Sequence, residues 1–225
     1  LSDGQSHTVQ WFERARFEFH PDNLPPFNVL LGLLGTELLA EDVPTQRIIS
    51  TIAFTSNRRG TDDIHVINTG GQDLINLTNN ASGNDFGPTW SPDGTRLAFT
   101  SDREGLWQIY VMNADGSGQT RISDPESNNW SPAWSPDGTR IAFSTDRDIR
   151  STEVDEETDE EEVTYDVEIY VMNIDGSNVT NISNNISSDD YSPNWAPDAL
   201  QLVYVSERDG NAEVYTTNAV GSNAV

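Results

Sequence analysis

PTWSPDGTRLAFTSDREGLWQIYVMNADGSGQTRIS, residues 88–123, is followed by two near-copies of its halves: PAWSPDGTRIAFSTDRD, residues 132–148, and EIYVMNIDGSNVTNIS, residues 168–183. Self-similarity at a fixed period reports architecture before any local propensity does. Trp90 and Trp134 lie 44 positions apart, Phe54, Phe99 and Phe143 are spaced by 45 and 44, and His65 and Tyr110 by 45. From Trp134 to Trp195 the spacing is 61, and the excess of 17 is visible as IRSTEVDEETDEEEVTY, residues 149–165. It is an insertion inside one repeat.

Each unit reads as four short strands. PTWS is brief, TRLAFTSD and QIYVMNA alternate apolar with polar or small residues, and QTRIS is brief again, which is the period-two pattern of half-buried strands. Ser91-Pro92-Asp93-Gly94 and Asp115-Gly116 separate them, supplying a proline-fixed φ and a glycine free to take a positive one. Four antiparallel strands per period of about 40–45 residues is the count for one blade of a β-propeller. The expected fold class is therefore all-β, a β-propeller of four-stranded antiparallel blades. About four repeats are visible, a partial or small propeller with a short N-terminal arm.

WSPDGTRLAFTSDREGLWQIYVMNADGSGQTRIS resembles the repeat of the TolB-like, WD40-like (PD40) propellers, closely over residues 88–123 and 132–183. Residues 47–80 keep strands two to four but lack WSPDG, and residues 193–225 keep PNWAPDALQLVYVSERDGNAEVYTTNAV and stop before a fourth strand. The resemblance implies the fold, a periplasmic or extracellular location in the cell envelope, and a protein partner. It does not imply one activity, since such propellers also serve as lids of serine peptidases and as parts of lyases. Residues 43–225 are read as the propeller repeats and residues 1–42 as an N-terminal arm or the stump of an upstream domain. Within that arm, Arg14 to Phe19 alternates like a strand, and FNVLLGLLGTELLA, residues 27–40, suggests a short packing helix or an extended arm.

The chain has 225 residues, 12 basic against 37 acidic, and a net charge of −25. Nucleic acid and anionic membrane surfaces would be repelled, and cationic partners attracted. There is no cysteine, which excludes disulfides, thiolate metal sites and cysteine nucleophiles. No run approaches the ~18 apolar residues that span a bilayer, so membrane insertion is not expected.

Catalytic vocabulary is sparse. No G-x-S-x-G elbow is present, so no catalytic residue is assigned and the chain is read as noncatalytic. His65 occupies a place where other units have Tyr110, Tyr170 and Tyr215, and reads as a strand aromatic. Asp102-Arg103, Asp146-Arg147 and Glu207-Arg208 recur after the second strand and suggest structural pairing between neighbouring loops. The tryptophans 90, 134 and 195 are expected to pack between blades.

Four aromatic residues are the candidate partner-binding set. Phe86, Trp130 and Tyr191 each precede a repeat tryptophan by four positions, in what read as blade-to-blade loops, and Trp107 lies in a loop between second and third strands. Alternating strand direction puts those two loop classes on one face and the SPDG and DGS turns on the other. The insertion is itself a second-to-third-strand loop on the variable face. Its centre, EVDEETDEEE, carries eight carboxylates in ten residues and reads as a mobile, self-repelling segment. No cofactor is expected. Asp155, Glu156, Asp159 and Glu160 could bind calcium weakly, although the spacing is not that of a formed oxygen cage.

Three roles follow from the repeats: an envelope or extracellular scaffold binding a protein partner, an accessory propeller of a hydrolase or lyase whose catalytic domain lies outside this chain, or a structural subunit self-associating through open blade edges.

Overall fold

The computed structural model describes residues 8–12, 15–19, 29–32, 51–58, 60–154, 161–185 and 188–219. The chain divides into two compact units, Leu1–Ile48 and Ile49–Val225. In the first, β1 (Thr8–Phe12), β2 (Ala15–Phe19) and β3 (Val29–Gly32) form one antiparallel sheet in the order β1-β2-β3. The described part of the 27–40 stretch is thus strand, not helix. Its β-branched and leucine residues find a ladder partner in β2, and tertiary pairing overrides local helix preference.

The second unit is four sheets in succession. β4 (Thr51–Ser56), β5 (Asp63–Asn68) and β6 (Ile75–Asn76) make the first. β7 (Asp85–Trp90), β8 (Arg96–Ser101), β9 (Gln108–Asn113) and β10 (Thr120–Arg121) make the second. β11 (Asn129–Trp134), β12 (Arg140–Val154), β13 (Glu161–Asn173) and β14 (Thr180–Asn181) make the third, and β15 (Asp190–Trp195), β16 (Gln201–Ser206) and β17 (Glu213–Asn218) the fourth. Every pairing is antiparallel between consecutive strands, and the aromatic pairs Phe54↔His65, Phe99↔Tyr110, Phe143↔Tyr170 and Tyr204↔Tyr215 hold one register.

These are propeller blades, and each innermost strand packs on the blade before it: β7 on β4 and β5, β11 on β7, β8 and β9, β15 on β11, β12 and β13. Among the described residues the arc is open, its first sheet lacking the innermost strand and its last the outermost. The period-two alternation builds the junctions. Leu97 and Phe99 join Ile64, Val66 and Leu77 of the first blade, whereas Ala98 between them faces Trp134, Ile141 and Phe143 of the third. Ala133, Ala142 and Ile169 repeat the arrangement against Trp195, Leu202 and Tyr204. Burying each large apolar side chain stabilises by roughly 1.5–3 kcal/mol, so a blade gains its stability only against a neighbour. The repeat tryptophans do pack between blades. Trp195 Nε1 donates to Ala133 O at 3.1 Å, and Arg140 stacks on the indole 4.6 Å from its centre.

On the turn face the second and third blades share one device. Ser91 Oγ, Thr95 N and Thr95 Oγ1 all donate to Asp93 Oδ1 at 2.6–3.0 Å, and Ser135, Thr139 and Asp137 repeat this. Those donors hold the Asp93 carboxyl well below the usual range, at about 2. The DGS turns press on the preceding blade: a Cβ on Gly116 (φ +84°) would lie 2.7 Å from Leu77 O, and Gly176 (φ +83°) meets Ile122 O in the same way.

Candidate functional site

The opposite face is assembled by a clasp between two loop classes. Asn84 N and Nδ2 donate to the two Asp102 carboxylate oxygens at 2.6 and 3.0 Å, and Asn128 N and Nδ2 to those of Asp146 at 2.8 and 2.7 Å. These two blade-to-blade loops are therefore tied to the end of β8 and to β12 of the next blade, which brings the variable loops together.

Of the recurrent Asp-Arg pairs, the aspartates Asp102 and Asp146 join neighbouring loops as the sequence suggested, whereas the arginines are folded back onto their own blade. Arg103 stacks on Phe99 and Tyr110 and pairs at 2.9 Å with the buried Asp85, which opens the innermost strand of the same sheet. Arg208 repeats this with Tyr204, Tyr215 and Asp190, at 3.2 Å. A guanidinium held between rings and a buried carboxylate satisfies a charge that the sheet end would otherwise strand. In the third blade the carboxylate is replaced: Arg147 stacks on Phe143 and Tyr170 but donates to Asn129 Oδ1 at 2.8 Å. His65 is buried, stacks on Phe54, and its Nδ1 donates to Asp63 O at 3.1 Å, in the place tyrosine holds elsewhere.

Phe86, Trp130 and Tyr191 lie in strands β7, β11 and β15, not in loops. The innermost strands begin earlier than WSPDG indicates, and each carries a register shift just after the aromatic residue. Gly87, Ser131 and Ser192 take positive φ there, between +53° and +63°, the backbone bend of a bulge. The alternation was illegible because the bulge inserts unpaired residues between Phe86 and Trp90 and between their counterparts.

Three of the four candidate aromatics meet. Trp107, from the loop between β8 and β9, makes edge contacts with Phe86 and with Trp130, both at 5.8 Å between ring centres and near-perpendicular. The row crosses the junction between second and third blades. Tyr191 shares no ring contact with it, and its hydroxyl reaches Glu207 Oε1 at 3.3 Å. Trp107 is 43% exposed, and beside it Leu106 is 39% exposed; a grouped apolar rim is the signature of a recognition surface, where scattered apolar residues are not.

Adjoining the row is a pocket of about 230 Å³. Leu106, Glu126 and Asn128 form its second-blade side, and Asp146, Arg147 and Tyr165 face them from the third. Asn128 Oδ1 accepts from Trp107 N at 3.1 Å and Trp107 O accepts from Asn129 N at 2.7 Å, which fixes the aromatic row to the pocket wall. Leu106 and Tyr165 were not among the sequence candidates. Tyr165 ends the insertion, and only the hairpin geometry aims it at the second blade.

That insertion is not a free loop in its described part. β12 and β13 continue beyond the blade with Ile149↔Tyr165, Thr152↔Val163, Glu153↔Glu162 and Val154↔Glu161 in antiparallel register. Asp155, Glu156, Asp159 and Glu160 lie outside the described residues. Among the described residues no cluster of three or more His, Asp or Glu side chains could hold a metal ion, and no helix is long and apolar enough to cross a membrane.

The chain matches no curated protein significantly. Among solved structures, a TolB protein of Agrobacterium tumefaciens superposes with a TM-score of 0.64 at 20% identity over 97% of this chain and 75% of that one. TolB of Acinetobacter baumannii gives 0.59 at 17% identity over 97% and 55%. A puromycin-hydrolyzing peptidase of Mycobacterium tuberculosis gives 0.58 at 16% identity over 78% and 28%. The chain thus spans three quarters of the first relative and about half of the second, and at such identities the likeness is one of fold. The sequence match to the PD40 family, described as the TolB beta propeller domain, runs over residues 49–166, just over half of the chain, and the chain belongs to that family.

Proposed function

We propose that this chain is a noncatalytic propeller scaffold of the bacterial envelope or cell exterior, and that it binds a protein partner through the loop face at the junction of the second and third blades. The supporting observation is the Phe86–Trp107–Trp130 row lying next to a pocket whose lining includes exposed Leu106 and Tyr165. Rigid aromatic anchors beside a concavity are what partner surfaces concentrate their binding energy in. The opposite face offers short turns whose polar groups are already bonded to each other. Membership of the TolB propeller family supports the location and the class of partner.

The test compares faces. Capture of an envelope partner by the isolated chain should weaken by at least about tenfold in Trp107→Ala or Trp130→Ala, the range of hot-spot truncations. It should be unchanged in the double variant Asp93→Asn, Asp137→Asn. Equal losses on both faces would remove the assignment.

A second reading has its own support in the likeness to the M. tuberculosis peptidase, of which this chain covers 28%: an accessory propeller attached to a hydrolase domain. A coding sequence continuing after Val225 into a G-x-S-x-G domain would establish it.

A further inference from the structure

The polar contact beneath each blade junction is built from two repeating positions, one near the start of a blade's third strand and one opening the innermost strand of the next blade. Between the second and third blades they hold Gln108 and Asn129, which bond each other directly: Asn129 Nδ2 donates to Gln108 Oε1 at 3.3 Å, and Ser123 Oγ donates to the same oxygen at 2.6 Å. Between the third and fourth they hold Glu168 and Asp190, 1% and 0% exposed. The serine contact is kept there, Ser183 Oγ donating to Glu168, and Asn185 N donates to both Glu168 oxygens at 3.0 and 3.1 Å. Asp190 Oδ2 accepts from Arg208 at 3.2 Å, whereas Asp190 Oδ1 is buried and has no hydrogen-bond partner among the described residues. A buried acceptor left without a donor is costly. Where the earlier junction closes with an amide N–H between the two side chains, this one has carboxyl groups at both positions and can close the same way only with a proton.

We infer that Glu168 and Asp190 share one proton, the Glu168 carboxyl donating to Asp190 Oδ1, and that this proton latches the fourth blade onto the third. With the proton the pair carries one negative charge, which Arg208 balances; without it the pair carries two, and Arg208 meets only one. The other groups around the pair do not supply a second cation. Asp148 from β12 adds repulsion, Tyr204 of β16 spends its hydroxyl oxygen on Arg208 at 2.9 Å, Asp166 lies two positions before Glu168 on β13, and Asp189 accepts from Val167 N at 3.3 Å. Burial, with Asp190 and Asp148 repelling, pushes Glu168 up to about 7, so the proton is held below neutral pH and released above it. The position of the pair makes the effect local. Asp190 opens β15, the strand by which the fourth blade packs on β11, β12 and β13, and Ser183 and Asn185 belong to the connection that leads to it. Losing the proton leaves an uncompensated buried charge at the root of that blade, which favours water entry there. The junction of Gln108 and Asn129 has no ionisable pair and stays closed.

Amide hydrogen exchange of the whole chain between pH 5 and pH 8, corrected for the intrinsic pH dependence of exchange, reads the latch blade by blade. Protection of β15–β17 should fall by at least about tenfold across that range while protection of β7–β10 stays level, because local opening is reported by the segment that opens. The double variant Glu168→Gln, Asp190→Asn copies the junction of Gln108 and Asn129, and its fourth blade should lose the pH response. Asp190→Asn alone separates a shared proton from a merely buried Glu168. Arg147 already uses Asn129 Oδ1 as its acceptor, at 2.8 Å, so Arg208 keeps a partner in that variant and folding should be intact by circular dichroism. The new amide removes a negative charge and offers Glu168 a donor, which should move the midpoint of the response down by at least about one pH unit. A midpoint unmoved by Asp190→Asn would overturn the shared proton. A response spread evenly over all four blades, or none in the unaltered chain, would overturn the latch.

Discussion

The junction between the second and third blades and the junction between the third and fourth use the same repeat with different polar chemistry. At the first, the position opening β9 is Gln108 and the position opening β11 is Asn129; Asn129 Nδ2 and Ser123 Oγ both donate to Gln108 Oε1, at 3.3 and 2.6 Å. At the second, the same positions are Glu168 and Asp190, both buried. Glu168 accepts from Ser183 Oγ and from Asn185 N, and Asp190 pairs with Arg208. One junction is closed by neutral amides and leaves Arg147 facing a pocket. The other places two carboxyl groups out of water and commits its arginine to one of them. The repeat therefore specifies which positions meet, while the residue type at those positions decides whether a junction recognises something outside or responds to protons.

The largest expected effect separates the core of the first junction from its rim. Phe143 is fully buried among Ala98, Ile109 and Trp134, so Phe143→Ala should cost about 3–5 kcal/mol in urea unfolding. Trp107→Ala at the rim should cost less than about 1 kcal/mol, as surface changes do. Comparable losses would mean that the aromatic row is part of the core and not a docking surface.

The next effect sets the two junctions against each other. Burial pushes the Glu168 carboxyl up to about 7 from 4.5, with Asp190 and Asp148 adding repulsion against the partial relief from Ser183 and Asn185. Asp190 is also raised, by burial first, with Ser206 and Arg208 opposing. The sign follows from which state holds the proton. Folded Glu168 keeps it where the unfolded chain has lost it, so its contribution is intact below pH 4.5 and is lost as pH rises through about 7. The shift corresponds to roughly 3 kcal/mol at 1.36 kcal/mol per unit. Unfolding at pH 5 and pH 8 should therefore differ by up to this amount, with the native chain more stable at pH 5. Glu168→Gln, which reproduces the Gln108 junction, should flatten the profile, and an unchanged slope in that variant would refute the proton link.

The smallest effect concerns the hairpin. Replacing residues 152–163 by Asn-Gly should change stability by no more than about 0.5 kcal/mol, because the extension pairs β12 with β13 beyond the blade and the junction cores lie below it. A larger loss on thermal unfolding would show that the extension packs on a second blade.

The residues themselves differ in how openly they declared their roles. Trp90, Trp134 and Trp195 recur from repeat to repeat, so their packing between blades could be read directly. Phe86 and Trp130 could be picked out but were placed in loops, because a bulge with a positive-φ residue interrupts the alternation that marks a strand. The arginine after the second strand was visible as a repeat, yet its carboxylate lies 18 positions away in sequence in each case, as Arg103 to Asp85 and Arg208 to Asp190 show. Leu106 and Tyr165 carried no signal, since neither recurs.

By itself the sequence determined the period, the four-strand unit, the all-β propeller class, the turn chemistry of SPDG and DGS, the strongly acidic balance and the position of the one insertion. These are properties of spacing and composition, and a repeating unit that buries its faces only against its neighbours must write them locally. The tertiary structure alone decided that Phe86, Trp107 and Trp130 form a row, that the insertion continues the β12–β13 ladder and brings Tyr165 to the second blade, that Arg147 lacks the carboxylate its counterparts have, and that Glu168 and Asp190 share a dry junction. Each of these depends on which residues of adjacent blades come within a few ångströms, a distance set by blade rotation and strand register that no single repeat encodes.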